Sequence, residues 1–282
     1  MKAFVILPNP LKDKDLSVSR AVADRLIACG ARVYTEASMA SRLPSCEPYT
    51  TFPSDAELLL VIGGDGSVID ASVLAVQKQI PLLGINLGKI GYLSEVDPQE
   101  LSVLRQLIDD QYTTTEQMLL TVSCVIAGEQ VTCDRMALND IIVSHSSASG
   151  MAEFTVSDSS EDTVRYRADG LIVATPAGST AYSLSAGGPV VAHNVPALTV
   201  TPVCAHSLFQ RSIIYSSKER IAIRNVGSTD LQVLVDGRPY LSLPPESVCY
   251  VEVADTPLRM LKLSHTGVFS TLFRKIRTIE TL

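Results

Sequence analysis

From the N-terminus to about residue 112, apolar runs of strand length alternate with segments whose apolar residues recur every three or four positions. Residues 3–7 and 58–62 are continuous apolar runs, and 31–34 and 81–87 read as two further strands. Residues 16–29 place Val18, Val22, Leu26 and Ile27 at helical spacing and stop at Gly30, and 68–79 and 98–109 repeat the helical pattern. A strand covered on both faces loses its apolar–polar alternation. Continuous apolar strands separated by amphipathic helices therefore predict a parallel sheet with helices on both sides.

After about Glu116 the period changes to two. Residues 119–126, 141–144, 153–157, 164–167, 221–224, 231–235 and 247–253 read as strands, with turn chemistry at 227–230 and 236–239. Near the end Phe269, Leu272, Phe273 and Ile276 share one helical face. The expected fold is an α/β N-terminal domain over 1–115, with a parallel, Rossmann-like sheet, followed by an all-β, sandwich-like C-terminal domain over 116–258. The tail, 259–282, is expected to pack back on the first domain through the helix that this face marks.

Composition narrows the partners. Of the 282 residues 46% are hydrophobic and 19% charged, which excludes an intrinsically disordered chain. Lys and Arg number 23 against 30 Asp and Glu, a net charge of −7. That balance argues against a binder of bulk nucleic acid or of anionic membrane. The first apolar run stops at Pro8, too short for a signal sequence, and no run approaches the roughly 18 apolar residues of a membrane helix. Cys29, Cys46, Cys124, Cys133, Cys204 and Cys249 are scattered without a C-x-x-C pair and read as small buried hydrophobes. A cytoplasmic protein is expected.

Three stretches carry candidate chemistry. In the first, the apolar run at 58–62 enters Gly63-Gly64-Asp65-Gly66-Ser67 and a helix begins. Amides at such a turn suit an anion, and the missing Cβ atoms let a phosphate approach the main chain. No Gly-Lys-Ser/Thr follows, so this is not a P-loop, and Ile69 stands where a dinucleotide fingerprint has its third glycine. Asp65 is out of place in a loop built for phosphate unless it meets a metal or accepts a proton from an attacking hydroxyl. Alternatively it caps the helix near Ser67.

The second stretch, 169–188, runs from Asp169 through an apolar strand into Ala177-Gly178-Ser179-Thr180-Ala181-Tyr182-Ser183-Leu184-Ser185. Small residues let a flat ligand reach the backbone. Thr180, Ser183 and Ser185 offer hydrogen bonds to a base or a ribose, and Tyr182 offers a ring to stack on. The same residues also read as a helix start capped by Ser179 or Thr180. The third is Asn139-Asp140 before a strand, suited to a sugar diol and equally to a plain turn. His145, His193, His206 and His265 show no metal-ligand spacing.

Taken in order, these motifs resemble the NAD kinase family over most of the chain. The resemblance is carried by Gly63-Gly64-Asp65-Gly66, the 85–93 segment (Ile-Asn-Leu-Gly-Lys-Ile-Gly-Tyr-Leu), Leu138-Asn139-Asp140, the 169–188 block, Thr201-Pro202 with His206-Ser207-Leu208, and Asp236-Gly237. It implies phosphorylation of NAD⁺ at its adenosine 2′-hydroxyl to give NADP⁺, with ATP or polyphosphate as donor and a divalent metal, Mg²⁺ first. By the same resemblance Asp65 would be the base and Gly66 would lie against the ligand. Asn139 and Asp140 would hold ribose hydroxyls, Thr180, Ala181, Tyr182 and Ser185 would line the adenosine pocket, and Tyr92 would lie near adenine. Asp169 would face the nicotinamide and Arg167 the phosphate charge. Gly63, Gly64, Ala177, Ser183, Leu184 and Asp236 complete the implied nucleotide-binding set, and homodimers or homotetramers are implied. The chain departs from the pattern at Ser67 for Thr, Asp140 for Glu, Gly150 for His or Arg, and Arg238 for Gln. Two other readings use the same loop: a lipid kinase of the diacylglycerol or sphingosine type, and a non-catalytic dinucleotide sensor.

Overall fold

The computed structural model describes residues 1–88, 91–145, 151–160, 162–206 and 210–263. It divides into two units, Met1–Glu116 joined by the chain from Leu258, and Gln117–Pro257.

The first unit runs β1 (Ala3–Pro8), α1 (Ser17–Ala28), β2 (Arg32–Glu36), β3 (Glu47–Tyr49), β4 (Leu58–Gly63), α2 (Asp65–Gln77), β5 (Leu82–Asn86) and β6 (Thr113–Gln117). The second supplies β7 (Leu120–Ile126), β8 (Glu129–Thr132), β9 (Asp140–His145), β10 (Ala152–Ser157), β11 (Thr163–Ala168), β12 (Gly170–Ala174), β13 (Ala197–Val203), β14 (Ile213–Ser216), β15 (Ile221–Asn225), β16 (Leu231–Val235), β17 (Arg238–Leu243) and β18 (Val248–Val253). The last described strand, β19 (Leu258–Lys262), rejoins the first unit.

The first unit holds a seven-stranded sheet in the order β3-β2-β1-β4-β5-β19-β6. Its pairings from β3 to β19 are parallel. Every residue of β4 is buried, as the unbroken Leu-Leu-Leu-Val-Ile run predicts for a central strand covered on both faces. Phe4, Ile6, Leu60, Ile62, Leu83 and Ile85 form a core with Val22 and Leu26 of α1. One expectation changes. The 98–109 helix is 3₁₀ over Pro98–Leu104 and α only over Arg105–Ile108. Leu101, Val103, Leu104, Leu107 and Ile108 all reach this core, and the break in the helix falls at Glu100 (φ −112°, ψ 24°). At 258–262 the chain is a strand, with Leu258, Met260 and Leu261 buried beside β5. The helical face read at Phe269, Leu272, Phe273 and Ile276 lies outside the described residues.

The second unit is a sandwich of two six-stranded antiparallel sheets, β11-β10-β15-β18-β7-β8 and β14-β13-β12-β9-β16-β17. Val122, Phe154, Tyr166, Ile223 and Val251 of one sheet pack on Ile141, Val143, Leu171, Val173 and Val233 of the other. The strict alternation of burial along β10 and β16 is the signature of strands with one face inward. β12 is buried throughout. Leu171 and Val173 enter the sandwich, whereas Ile172 and Ala174 turn outward into a small second cluster with Ile142, against which Ala186 packs. The segment after β12 therefore has its own apolar seat on the outer face of the sheet. All six cysteines are free; four are buried as expected, whereas Cys29 is half-buried and Cys204 exposed. No helix among the described residues is long and apolar enough to cross a membrane.

Candidate active site

In the first unit β4 ends at Gly63, Gly64 is extended (φ −99°, ψ −174°), and α2 begins at Asp65. No side chain caps this helix. Asp65 lies inside the first turn, and its carboxylate points elsewhere. Its two oxygens accept the backbone N–H groups of Tyr92 and Leu93, each at 2.9 Å. The capping alternative is thereby displaced: Asp65 bonds to another segment, and the helix N–H groups keep their free ends.

That segment is itself tied down. Asn86 Oδ1 accepts the N–H of Gly88 at 2.8 Å, and Asn86 Nδ2 donates to Asp97 at 3.3 Å. Gly91 has φ +62°, and a Cβ there would lie 2.6 Å from the Asn86 amide, so only glycine fits. Behind it Glu95 pairs with Lys262 at 2.8 Å and accepts the N–H of Leu263, which fastens β19 beside the same segment. Tyr92 is half-buried, and its phenol is pushed up by burial and by the charge of Asp65. Gly66 is exposed, with nothing within 4 Å of where a Cβ would be. Asn9, in the turn after β1, donates through Nδ2 to Ser67 Oγ at 2.7 Å, and the side chain of Lys12 reaches Gly64. No local motif marks either residue in the sequence, since both meet the loop across more than 50 positions of chain.

In the second unit, the Asn139-Asp140 turn and the block after β12 come together. Thr175 donates its hydroxyl to Leu138 O at 2.6 Å and its N–H to Asn139 O at 2.9 Å. A Cβ on Gly178 would collide with the Asn139 carbonyl, so the glycine is required by this close backbone approach. Asp236 takes three N–H groups, from Leu138, Asn139 and Asp140, at 2.9, 2.8 and 3.1 Å. Its carboxylate is spent on the 138–140 backbone. The Asp140 side chain is buried, and its carboxyl is pushed up to about 7 by that burial and then by the charge of Asp236. Asp236 is pushed up by burial too, an effect its three amide partners offset in part.

The implied ligand residues of this block divide by exposure. Ala177 and Ser183 are buried, and Ser183 shares a hydrogen bond with Thr201 at 3.2 Å. Thr180, which bonds back to Ala177 O at 3.1 Å, and Ala181 are partly exposed. Tyr182, Leu184 and Ser185 are exposed. At the other end of β12, Asp169 lies 4.0 Å from His145 Nε2, and Arg167 lies 3.3 Å from Glu153 on the neighbouring strand.

Comparison with known proteins decides what this geometry belongs to. The ATP-NAD kinase N-terminal domain profile matches residues 4–112, and the ATP-NAD kinase C-terminal domain profile matches 138–263. The chain belongs to the NAD kinase family. It is 32% identical over 281 residues to the NAD kinase of Thermoanaerobacter sp. (strain X514), covering 98% of this chain and 99% of the relative. It is 33% identical over 283 residues to that of Caldanaerobacter subterraneus subsp. tengcongensis, with the same coverage. Its fold is also that of a yeast NADH kinase solved with NADH (TM-score 0.85, 23% identity, 98% of this chain and 88% of the other). An NAD kinase from Archaeoglobus fulgidus solved with ATP shares it too (TM-score 0.74, 23% identity, 99% of each chain). The protein is an NAD⁺ kinase that uses ATP, and the lipid kinase and sensor readings fall away.

Proposed function

We propose that the phosphoryl group goes to the 2′-hydroxyl of the adenosine ribose of NAD⁺, with Asp65 as the base and the donor triphosphate on the glycine loop. The observation that carries this reading is the pair of 2.9 Å bonds from Tyr92 and Leu93 to Asp65. They hold a carboxylate in one orientation beside free helix N–H groups, where a phosphate-only site would gain nothing from it. Each Asp65 oxygen keeps a lone pair beyond those bonds, free to accept a proton.

In the same reading Asn139 and Asp140 hold ribose hydroxyls, Thr180, Ala181, Tyr182 and Ser185 line the adenosine, and Tyr92 lies near adenine. Asp169 faces the nicotinamide, and Arg167 faces phosphate charge. Asp236, Ser183 and Ala177 act from behind: their burial and bonding suit them to shaping the wall. Among the described residues no group of three or more His, Cys, Asp or Glu could hold a metal. This sparse donor set fits a Mg²⁺ that arrives on the triphosphate, since that ion keeps its waters and is held mainly by the phosphate oxygens. When bound, the ion neutralises charge on the transferred group. A cytoplasmic homodimer or homotetramer completes the reading.

Incubation with NAD⁺, ATP and Mg²⁺ should yield a product that an NADP-dependent dehydrogenase reduces, a readout specific for the 2′-phosphate. A phosphorylated product that this dehydrogenase refuses would overturn the 2′ assignment. Gly66→Ala is a sharper probe of the loop. Gly66 sits in the first turn of α2 with open space at its Cβ, so alanine should leave the fold intact or stabilise it by about 0.5–1 kcal/mol. If the ligand lies against Gly66, turnover nevertheless falls at least about tenfold, the cost of about 1.4 kcal/mol in the transition state. Unchanged kinetics in the stabilised variant would move the ligand off this residue.

A further inference from the structure

Lys12 belongs to a turn whose place is set by the glycine loop. The Asn9 N–H donates to Ile62 O at 2.9 Å, and Asn9 Nδ2 donates to Ser67 Oγ at 2.7 Å, so the turn is tied to the last residues of β4 and to the first turn of α2. Asn9 in turn folds the turn on itself, taking the Leu11 N–H on its side-chain oxygen at 3.0 Å and the Lys12 N–H on its carbonyl at 3.1 Å. From that anchor the Lys12 side chain runs over the two glycines. A Cβ on Gly64 would collide with its Nζ and lie 3.4 Å from its Cε, and a Cβ on Gly88 would lie 3.6 Å from its Nζ.

The ammonium held there has no ion-pair or hydrogen-bond partner among the described residues, and the residue is exposed. Asp65, the nearby carboxylate of the loop, directs its oxygens to Tyr92 and Leu93. A long flexible side chain usually leaves such a position for bulk water unless something is to be met there, since fixing it costs rotamer entropy. The missing Cβ atoms of Gly64 and Gly88 give the ammonium its room. The net charge of −7 gives the chain no general attraction for a polyanion, so local cations must supply it.

We propose that Lys12 grips the triphosphate of the phosphoryl donor on the glycine loop, as a donor-binding residue of the NAD kinase reaction. The proposal deepens the reading above and rests on its placement of the donor on that loop. Lysine acts here as a point charge with three donors, so a residue of equal reach and no charge should lose the contact, and arginine should restore most of it.

The test compares Lys12→Met and Lys12→Arg with the parent, with Asp65→Asn assayed in parallel. For Lys12→Met, kcat/KM for ATP at saturating NAD⁺ should fall at least about tenfold, the loss of one charge-assisted bond. The NAD⁺ Kd from calorimetry and the urea midpoint should stay at parental values, and Lys12→Arg should recover most of the activity. Parental ATP kinetics in Lys12→Met would overturn the assignment, as would a loss confined to NAD⁺ binding. An inactive Asp65→Asn beside a parent-like Lys12→Met sinks the Lys12 assignment alone. A fully active Asp65→Asn sinks the loop reading, whatever Lys12→Met does.

Discussion

Asp65→Asn should lower NADP⁺ formation by about 10²–10⁴-fold, the range general-base catalysis contributes, while NAD⁺ affinity measured by calorimetry changes little. The substitution also has a structural cost that must be separated from the catalytic one. Asn keeps one acceptor oxygen for Tyr92 or Leu93 and turns its NH₂ toward the other N–H, so one of the two 2.9 Å bonds is lost. That should cost about 1–3 kcal/mol of stability. A domain of ordinary stability, about 5–15 kcal/mol, stays almost wholly folded after such a loss. Unfolding therefore cannot explain a hundredfold fall in turnover, and a urea titration beside the assay keeps the two effects apart. A folded Asn variant with near-normal kcat would remove Asp65 from the role of base.

How far the molecule could be read beforehand depended on how local each cause is. The β4–glycine loop–α2 unit was legible because burial on both faces demands an unbroken apolar run, and the turn that follows demands glycine. β10 and β16 were legible from their alternation. β13 was not, although its first six residues are buried, because Pro202 and the preceding Pro196 argue against a central strand. The structure shows why Pro202 is tolerated: β14 pairs with β13 only as far as Val200, so the missing N–H faces no strand on that side. At the site, Asn139-Asp140 and the 169–188 block could each be read alone, but Gly178 takes its meaning from the Asn139 carbonyl. Asp236 looked like one half of an Asp-Gly turn, which it is, with φ of 48° and 73° at the two residues. Its carboxylate serves amides 96 to 98 residues earlier in the chain, a relation that no local pattern carries. Lys12 is hidden for the same reason, since its purpose depends on glycines 52 and 76 positions away.

The buried carboxyl of Asp140 should make the protein less stable as pH rises from about 4 to about 7, and Asp140→Asn should flatten that slope. Folded, Asp140 keeps its proton to about pH 7, because burial and the charge of Asp236 oppose ionisation. Unfolded, an aspartate ionises near 3.9. Between those values the unfolded chain binds fewer protons than the native one, so each pH unit costs about 1.4 kcal/mol, and the whole interval up to about 4 kcal/mol. Asp236, also pushed up, slopes in the same direction. Asn has the size of Asp and nothing to titrate, so at pH 8 the variant should unfold at higher urea than the parent, and near pH 4 the two should converge. Parallel curves for parent and variant across this range would show that Asp140 ionises in the native state as it does in water. In the proposed reading Asp140 also holds a ribose hydroxyl. Above about pH 7, where Asp140 is ionised, a carboxylate shielded from water is a stronger acceptor for a ribose hydroxyl than an exposed one, and Asn offers a neutral oxygen in its place. At pH 8 the more stable variant should therefore need more NAD⁺ to reach half-maximal rate, the trade of stability for substrate binding that this reading of Asp140 predicts.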